Sequence, residues 1–503
     1  MRTSGILMHI SSLSSPYGIG TLGKEAYDFV DFLKLSGQSI WQMLPIGPTS
    51  YGDSPYQSFS SFAGNPYFID LRELTKSGYL EVGDYIELDW GKNPESVDYG
   101  KLYENRFSVL YKAYLKFLKK TPKQFDEFCK QNAFWLDDFA LFMAVKDKNG
   151  GKAWFDWEKD LKFRRSGAIK KAETELSDKI GFYKFQQYMF FTQWNALKEY
   201  AHKNGITLLG DLPIYVSPDS ADIWSEPEQF QLDDNLDLKF VAGCPPDAFS
   251  DDGQRWGNPL YDWDKMKSDG YYWWCKRIKF YSEIFDAIRI DHFRGFDEYF
   301  SIPSEDKTAR NGKWRKGPGI DVFKAIKKEC GEIPIIAEDL GFLTKSVKKL
   351  LSDTKFPGMK VLQFAFDSRE ESNYLPHLYP KNCVVYTGTH DNDTILGWIK
   401  NADKNDIKYA KDYMRLNEAE GYNWGMMKTA LASTADTAIL MMQDILGLGE
   451  TARMNTPSTT ENNWLWRIKG ECLNPWLAEI LYNVTKVYCR LPKEKTKTKK
   501  GLS

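Results

Sequence analysis

Eight short β-rich apolar runs, bounded by turns and separated by helical stretches, constrain this chain more than any other feature. They occupy residues 5–10, 39–44, 206–211, 286–291, 333–338, 359–364, 383–391 and 437–444. Strand, helix and strand in that alternation predict parallel βαβ units. Eight such units fit a closed (β/α)8 barrel, and an open doubly wound sheet could also carry eight strands. The count alone leaves both architectures standing.

Two connections are far longer than a βα unit requires. The span 45–205 is largely helical by pattern, with apolar residues at i, i+3, i+4 and i+7 over 104–120 and 182–202. The span 212–281 is rich in Pro, Gly, Asp and Trp and reads as loop. Loops longer than ~12–15 residues are usually binding surfaces or lids. A chain of 503 residues suggests two or three domains by length alone. α/β barrels, however, run longer as one unit. The preferred division is one enlarged barrel over 1–491, carrying both insertions, followed by a Lys-rich end over 492–503 that reads as disordered.

Composition removes several function classes. Lys+Arg number 67 against 69 Asp+Glu, a balance that carries no electrostatic footprint for nucleic acid or a membrane surface. The first residues lack the apolar run of a secretory signal, and no stretch approaches a transmembrane length. Seven scattered cysteines without a CxxC read as reduced core residues, so a cytoplasmic protein is expected. Aromatics reach 15%, which hints at a ligand with flat apolar faces or at large packed cores.

Two familiar patterns fail on inspection. Gly18-Ile-Gly20-Thr-Leu-Gly23-Lys24 satisfies G-x-G-x-x-G, yet residues 11–17 intervene after the first run and no acid ends the second. Read as a P-loop it has Glu25 where Ser or Thr should hold magnesium, so it reads as a turn into the helix Lys24–Leu35. The five histidines show no metal-site spacing, and no metal or cofactor is expected.

Carboxylates recur where the runs end: Asp211, then Asp291 after Arg289 and before His292, then Glu338 with Asp339, then Asp391 after His390. Any one of them could cap a following helix. In a barrel all these ends converge on one face, where catalytic groups are drawn from different strands. Several carboxylates without a metal suit glycosidic bond cleavage. One acid protonates the leaving oxygen, and a second carboxylate attacks the anomeric carbon or activates water. Arg289 would keep Asp291 ionised. Negative neighbours Asp339, Asp291 and Asp391 should raise Glu338 toward use as an acid.

Three segments carry a resemblance. Gly52-Asp-Ser-Pro-Tyr-Gln-Ser-Phe-Ser-Ser-Phe-Ala-Gly-Asn-Pro-Tyr67, Gly243-Cys-Pro-Pro-Asp-Ala-Phe-Ser-Asp-Asp-Gly-Gln-Arg-Trp-Gly-Asn-Pro-Leu-Tyr261 and Arg289-Ile-Asp-His-Phe-Arg-Gly-Phe296 resemble the amylomaltases. These are the 4-α-glucanotransferases, or disproportionating enzymes, related to the α-amylase clan. The resemblance implies a (β/α)8 barrel and a retaining double displacement on α-1,4-glucan donors, with a glucan or glucose as acceptor. It implies Asp291 as nucleophile, Glu338 as general acid/base and Asp391 as the acid that grips the sugar. His292, His390, Arg289 and Asp211 match polar residues of the same subsite. Ser54, Tyr56, Asp247, Phe249, Gln254, Trp256 and Phe364 match residues lining the glucan groove, the 240s–250s lying over the site. Asn455 matches a further substrate-binding position, and Ser458 stands after Pro457 where the family has Gly. The rivals are a retaining hydrolase, a non-catalytic glucan-binding barrel and, more remotely, a nucleotide-dependent enzyme.

Overall fold

Each of the eight runs forms a strand, and the strands close on one another. The computed structural model describes residues 2–50, 52–246, 251–341 and 343–493. Its strands, in chain order, are β1 (Thr3–Leu7), β2 (Ile40–Gln42), β3 (Thr207–Leu212), β4 (Phe240–Cys244), β5 (Gln254–Pro259) and β6 (Ala287–Ile290). They continue with β7 (Glu298–Pro303), β8 (Lys313–Lys316), β9 (Ile335–Ala337), β10 (Gly358–Val361), β11 (Cys383–Tyr386) and β12 (Thr437–Met441).

The barrel runs β1-β12-β11-β10-β9-β6-β3-β2 and closes where β1 pairs with both β12 and β2. Thr3 through Leu7 lie opposite Thr437 through Met441, and Gly5 lies opposite Ile40. That closure removes the open doubly wound alternative. Barrel strands are buried on both faces, which explains why they read as continuous apolar runs without alternation. The observed strands are shorter than the runs. After Val361 the chain turns into a single helical turn at Leu362–Ala365, and after Met441 into Met442–Ile445.

The span 45–205 is helical as expected, with Tyr99–Phe117, Ala133–Lys148 and Ser177–Lys203 as its longest elements. It shares one apolar core with the barrel: Leu110, Trp135 and Phe190 belong to the same buried cluster as Ile6, Trp41, Ile288 and Val385. Two buried glutamines of Ser177–Lys203 staple the segment that follows β2. Gln187 accepts from the Gly64 amide at 2.7 Å and donates to its carbonyl at 2.9 Å. Gln193 does the same at Asp70, at 2.7 and 3.1 Å. Such reciprocal pairs satisfy buried backbone groups that no sheet or helix serves.

The span 212–281 is not the loop its composition suggests. It contains β4 and β5 and most of the helix Tyr272–Ile284, and β4 and β5 join β7 and β8 in an antiparallel sheet of order β5-β4-β7-β8. The Gly18–Lys24 pattern is a turn ending at Gly23, the residue before the helix Lys24–Leu35. Asp70 stands against Gly23 and accepts from Thr21 Oγ1 at 2.7 Å, so a carboxylate lies beside the turn. Among the described residues no helix is long and apolar enough to cross a membrane. Cys275 and Cys383 are buried but Cys489 is exposed, so the cysteines are not uniformly core residues. Residues 494–503, most of the Lys-rich end, lie outside the described residues.

Candidate active site

At the carboxyl ends of β3, β6, β9 and β11 the chain brings four acids together. None of them caps a helix: Ser220 precedes the helix after Asp211, and Thr394 caps the helix after Asp391. Asp211 and Arg289 lie side by side on paired strands, at matched positions of the register. Arg289 is buried and donates from one Nη to both Asp211 oxygens at 2.7 and 2.8 Å. The same nitrogen stands 3.0 Å from Asp291 Oδ1. Arg289 therefore serves two carboxylates, one fully buried and one facing the open end. Burial pushes the Asp211 carboxyl up, while the guanidinium pulls it down.

Glu338 directly follows β9. Its Oε2 accepts from the His292 amide at 2.6 Å and its Oε1 from the Leu340 amide at 3.0 Å. His292 presents that amide from a left-handed backbone, φ 47°. Loss of solvent, and then the Asp291 charge, push Glu338 up to about 7. Of the three expected neighbours Asp291 contributes, whereas Asp339 and Asp391 are not responsible and burial is the larger cause. Asp339 points into the barrel wall, accepting from the Met359 amide at 2.6 Å. Asp391 is engaged elsewhere.

On the far side Asp391 follows β11 by five residues. Asn455 Nδ2 donates to its Oδ1 at 2.6 Å, and His390 Nε2 lies 3.3 Å from the same oxygen. Burial opposes its charge, but His390 and the Asn455 amide outweigh it and hold the carboxyl down at about 2. Burial likewise lowers His390, yet the Asp391 charge wins and the imidazole is raised. Tyr56 links the two halves. Its hydroxyl donates to Asp211 Oδ2 at 2.8 Å, lies 3.3 Å from His390 Nδ1, and its ring stacks on the imidazole with centroids 4.8 Å apart. Ser54 Oγ accepts the Tyr56 amide at 3.2 Å and so shapes the turn that delivers Tyr56.

Gln254 and Trp256 lie on β5, not in a loop, and Gln254 accepts from the Trp256 indole at 3.0 Å. The indole meets the His292 ring edge to face, centroids 4.9 Å apart. Burial drives His292 down to about 4, which keeps it neutral near pH 7. Phe364 sits on the turn after β10, 43% exposed, with its ring against Tyr374 at 5.7 Å. Asp247 and Phe249 lie outside the described residues.

The structure adds residues that sequence reasoning passed over. Trp464 packs on both Tyr56 and His390, with centroids 5.9 and 5.8 Å away. Arg453 donates to the Asp391 carbonyl at 2.6 Å and to the Asn455 carbonyl at 2.8 Å. Arg453 sits two residues before Asn455, inside the segment 452–457, and could have been drawn from it. Trp464 carries no comparable signal. Ser458 adopts φ 65°, the left-handed conformation that glycine takes without strain. Among the described residues, no three His, Cys, Asp or Glu side chains are gathered as a metal-ligand set.

A family model described as 4-alpha-glucanotransferase matches residues 8–474. The 4-alpha-glucanotransferase of Clostridium butyricum is 50% identical over 485 residues, which is 96% of this chain and 100% of that protein. That of Thermus thermophilus is 46% identical, over 94% of this chain and 96% of its own length. Among solved structures, the amylomaltase from Streptococcus agalactiae in complex with acarbose superposes with a TM-score of 0.96 at 43% identity, covering 98% of this chain and 100% of that one. A closed eight-stranded barrel, four acids on its rim and likeness over nearly the whole length lead to one assignment: the chain belongs to the 4-alpha-glucanotransferase family.

Proposed function

We propose that this enzyme moves a segment of an α-1,4-glucan to the 4-hydroxyl of another glucan, or of glucose, by two successive displacements at the anomeric carbon. The observation that carries the reading is the contrast between two neighbouring carboxyls. Asp291 is paired with Arg289, whereas Glu338 is pushed up to about 7 by burial and by Asp291. Environments that separate two acids in this way assign one as nucleophile and the other as proton donor.

In the first displacement Asp291 attacks the anomeric carbon and Glu338 gives its proton to the departing glycosidic oxygen. The result is a covalent glycosyl-enzyme. In the second, Glu338, now a carboxylate, takes the proton of the acceptor 4-hydroxyl as that oxygen displaces Asp291. Asp391, held ionised by His390 and Asn455, grips the sugar and supports the positive charge of the oxocarbenium-like transition states. Asp211, Arg289, His292 and His390 complete that subsite. Ser54, Tyr56, Gln254, Trp256, Phe364 and Asn455 line the groove, with Asp247 and Phe249 assigned to it from the sequence alone. The acarbose held by the Streptococcus agalactiae amylomaltase supports a glucan as substrate.

Transfer and hydrolysis share every step up to the covalent intermediate, so the products distinguish them. Incubated with maltotriose, the enzyme should release glucose and form longer oligosaccharides, and Asp291→Asn should abolish both. Reducing ends that rise steadily without elongation would make it a hydrolase. An Asp291→Asn enzyme of near-full activity would remove the nucleophile assignment.

A further inference from the structure

Beside Tyr56 lies a small cavity of about 20 Å³. Its lining includes Tyr56, Ser58, Ser61, Ser217, Arg277 and Tyr281. That volume is enough for a water molecule when polar partners are present. The partners are present. Arg277 is 2% exposed, and its Nε is buried with no hydrogen-bond partner.

Arg277 is otherwise well held. It lies against the rings of Trp273 and Trp274, 5.1 and 5.2 Å from their centroids. One Nη donates to the Ile214 carbonyl at 3.1 Å, and Tyr261 donates to the same carbonyl at 2.6 Å. Ile214 lies three residues after Asp211, so Arg277 anchors the chain as it leaves that acid. A second buried charge, Asp222, ties the other end of the Tyr56 segment. Its Oδ2 accepts from the Ser61 amide at 2.8 Å, and the Ala221 amide donates to the Phe59 carbonyl at 2.9 Å. Burial pushes the Asp222 carboxyl up to about 6, against the pull of Arg277, the Ser61 amide and Lys276. Arg277 and Asp222 thus feel one another without forming a direct ion pair.

A buried guanidinium whose Nε–H is unsatisfied costs free energy unless something fills the space beside it. We infer that Arg277 is a positioning residue, which acts through ordered water in this cavity, beside the direct tie of Asp222 to the Ser61 amide, to hold the Tyr56 segment against Asp211 and His390. The inference rests on the reading above that places Tyr56 in the sugar site. A fixed charge with its bridging water, and the Asp222 tie to Ser61, form a rigid seat beside a residue whose hydroxyl joins two halves of the site. Small misplacements of such groups are costly in rate.

The test is a double-mutant cycle on transfer from maltotriose. Arg277→Met should lower kcat/KM about tenfold in the parent enzyme and less than twofold in the Tyr56→Phe background, because both changes break one device. Asp222→Asn, which keeps an acceptor for the Ser61 amide, should show the same non-additivity with a smaller loss. Arg277→Lys should recover part of the rate, and it replaces Arg277→Met in the cycle if that variant fails to fold. A crystal structure should show water between Arg277 Nε and the cavity hydroxyls. Losses that simply add, or a dry cavity, would overturn the inference while leaving the site intact. A Tyr56→Phe enzyme with unchanged kcat/KM would remove Tyr56 from the site and the inference with it.

Discussion

Glu338 is buried beside Asp291 and pushed up to about 7, so it crosses from acid to base near neutral pH. The first displacement consumes the protonated form. As pH rises through about 7 that form is lost, and kcat/KM should fall about tenfold per unit above it. Asp391, held down at about 2, stays ionised through the working range and contributes no limb there. A pH–rate profile whose alkaline limb lies well away from 7 would contradict the assignment of Glu338. Ser458 supports a second expectation. An L-residue at φ 65° is strained, and glycine is not. Ser458→Gly should therefore raise stability by roughly 0.5–1 kcal/mol, the relief of strain exceeding the added freedom of the unfolded chain. Denaturant melts measure this directly, and a destabilised Ser458→Gly would show that the serine side chain earns its place at the turn.

Among the elements, β3 shows how closely the wall of the barrel controls the site. Gly210 precedes Asp211, and a Cβ there would drive into the ring of Phe285. Gly210→Ala should cost about 1–3 kcal/mol by overpacking. It should also lower kcat/KM, since Asp211, Tyr56 and Arg289 share hydrogen bonds. An alanine variant with unchanged melting and rate would mean that Phe285 yields freely. The strands that carry acids were legible because barrel strands are short apolar runs and each acid follows one closely. Asp211, Asp291 and Glu338 end or directly follow their strands, so their convergence could be read from the chain. The second sheet was not legible. β5 reads Gln-Arg-Trp-Gly-Asn-Pro and β8 reads Lys-Trp-Arg-Lys with every residue exposed, so neither shows an apolar face or an alternation. Trp464 and Arg453 reach the site from irregular chain far from the acids in sequence, where periodicity carries no information. The position of Glu338 is legible in the sequence and so is Asp291 as one cause of its shift, but burial, the larger cause, is not, and Asp339 and Asp391 do not contribute as expected. Only geometry reveals that Asp339 faces away.

For the molecule as a whole, the helical insertion and the barrel share one apolar core, while the β4–β5–β7–β8 sheet has a small one of its own, built from Val241, Phe300, Ile302 and Ala309. Insertion and barrel should therefore melt in a single transition, with the sheet the first part to open locally. Hydrogen exchange tests this: amides of Lys313–Lys316 should exchange well before those of Val384 and Ile439. Two resolved calorimetric transitions for insertion and barrel would contradict it. The pairing of β1 with β12 has a consequence for the order in which the protein is made. A strand completed at Leu7 meets its second neighbour only when Met441 has been synthesised. Arg490, which bonds the carbonyls of Thr3 and Asp436, comes later still. At cellular elongation rates of ~5–20 residues per second, β1 waits roughly 20–90 s on the ribosome for that partner. Asp211, Asp291, Glu338 and Asp391 have all been synthesised during this wait, in a sheet that still has two open edges. A nascent chain halted before Thr437 thus carries every acid of the site, but neither closes the barrel nor holds the Asn455 and Arg453 that bind Asp391.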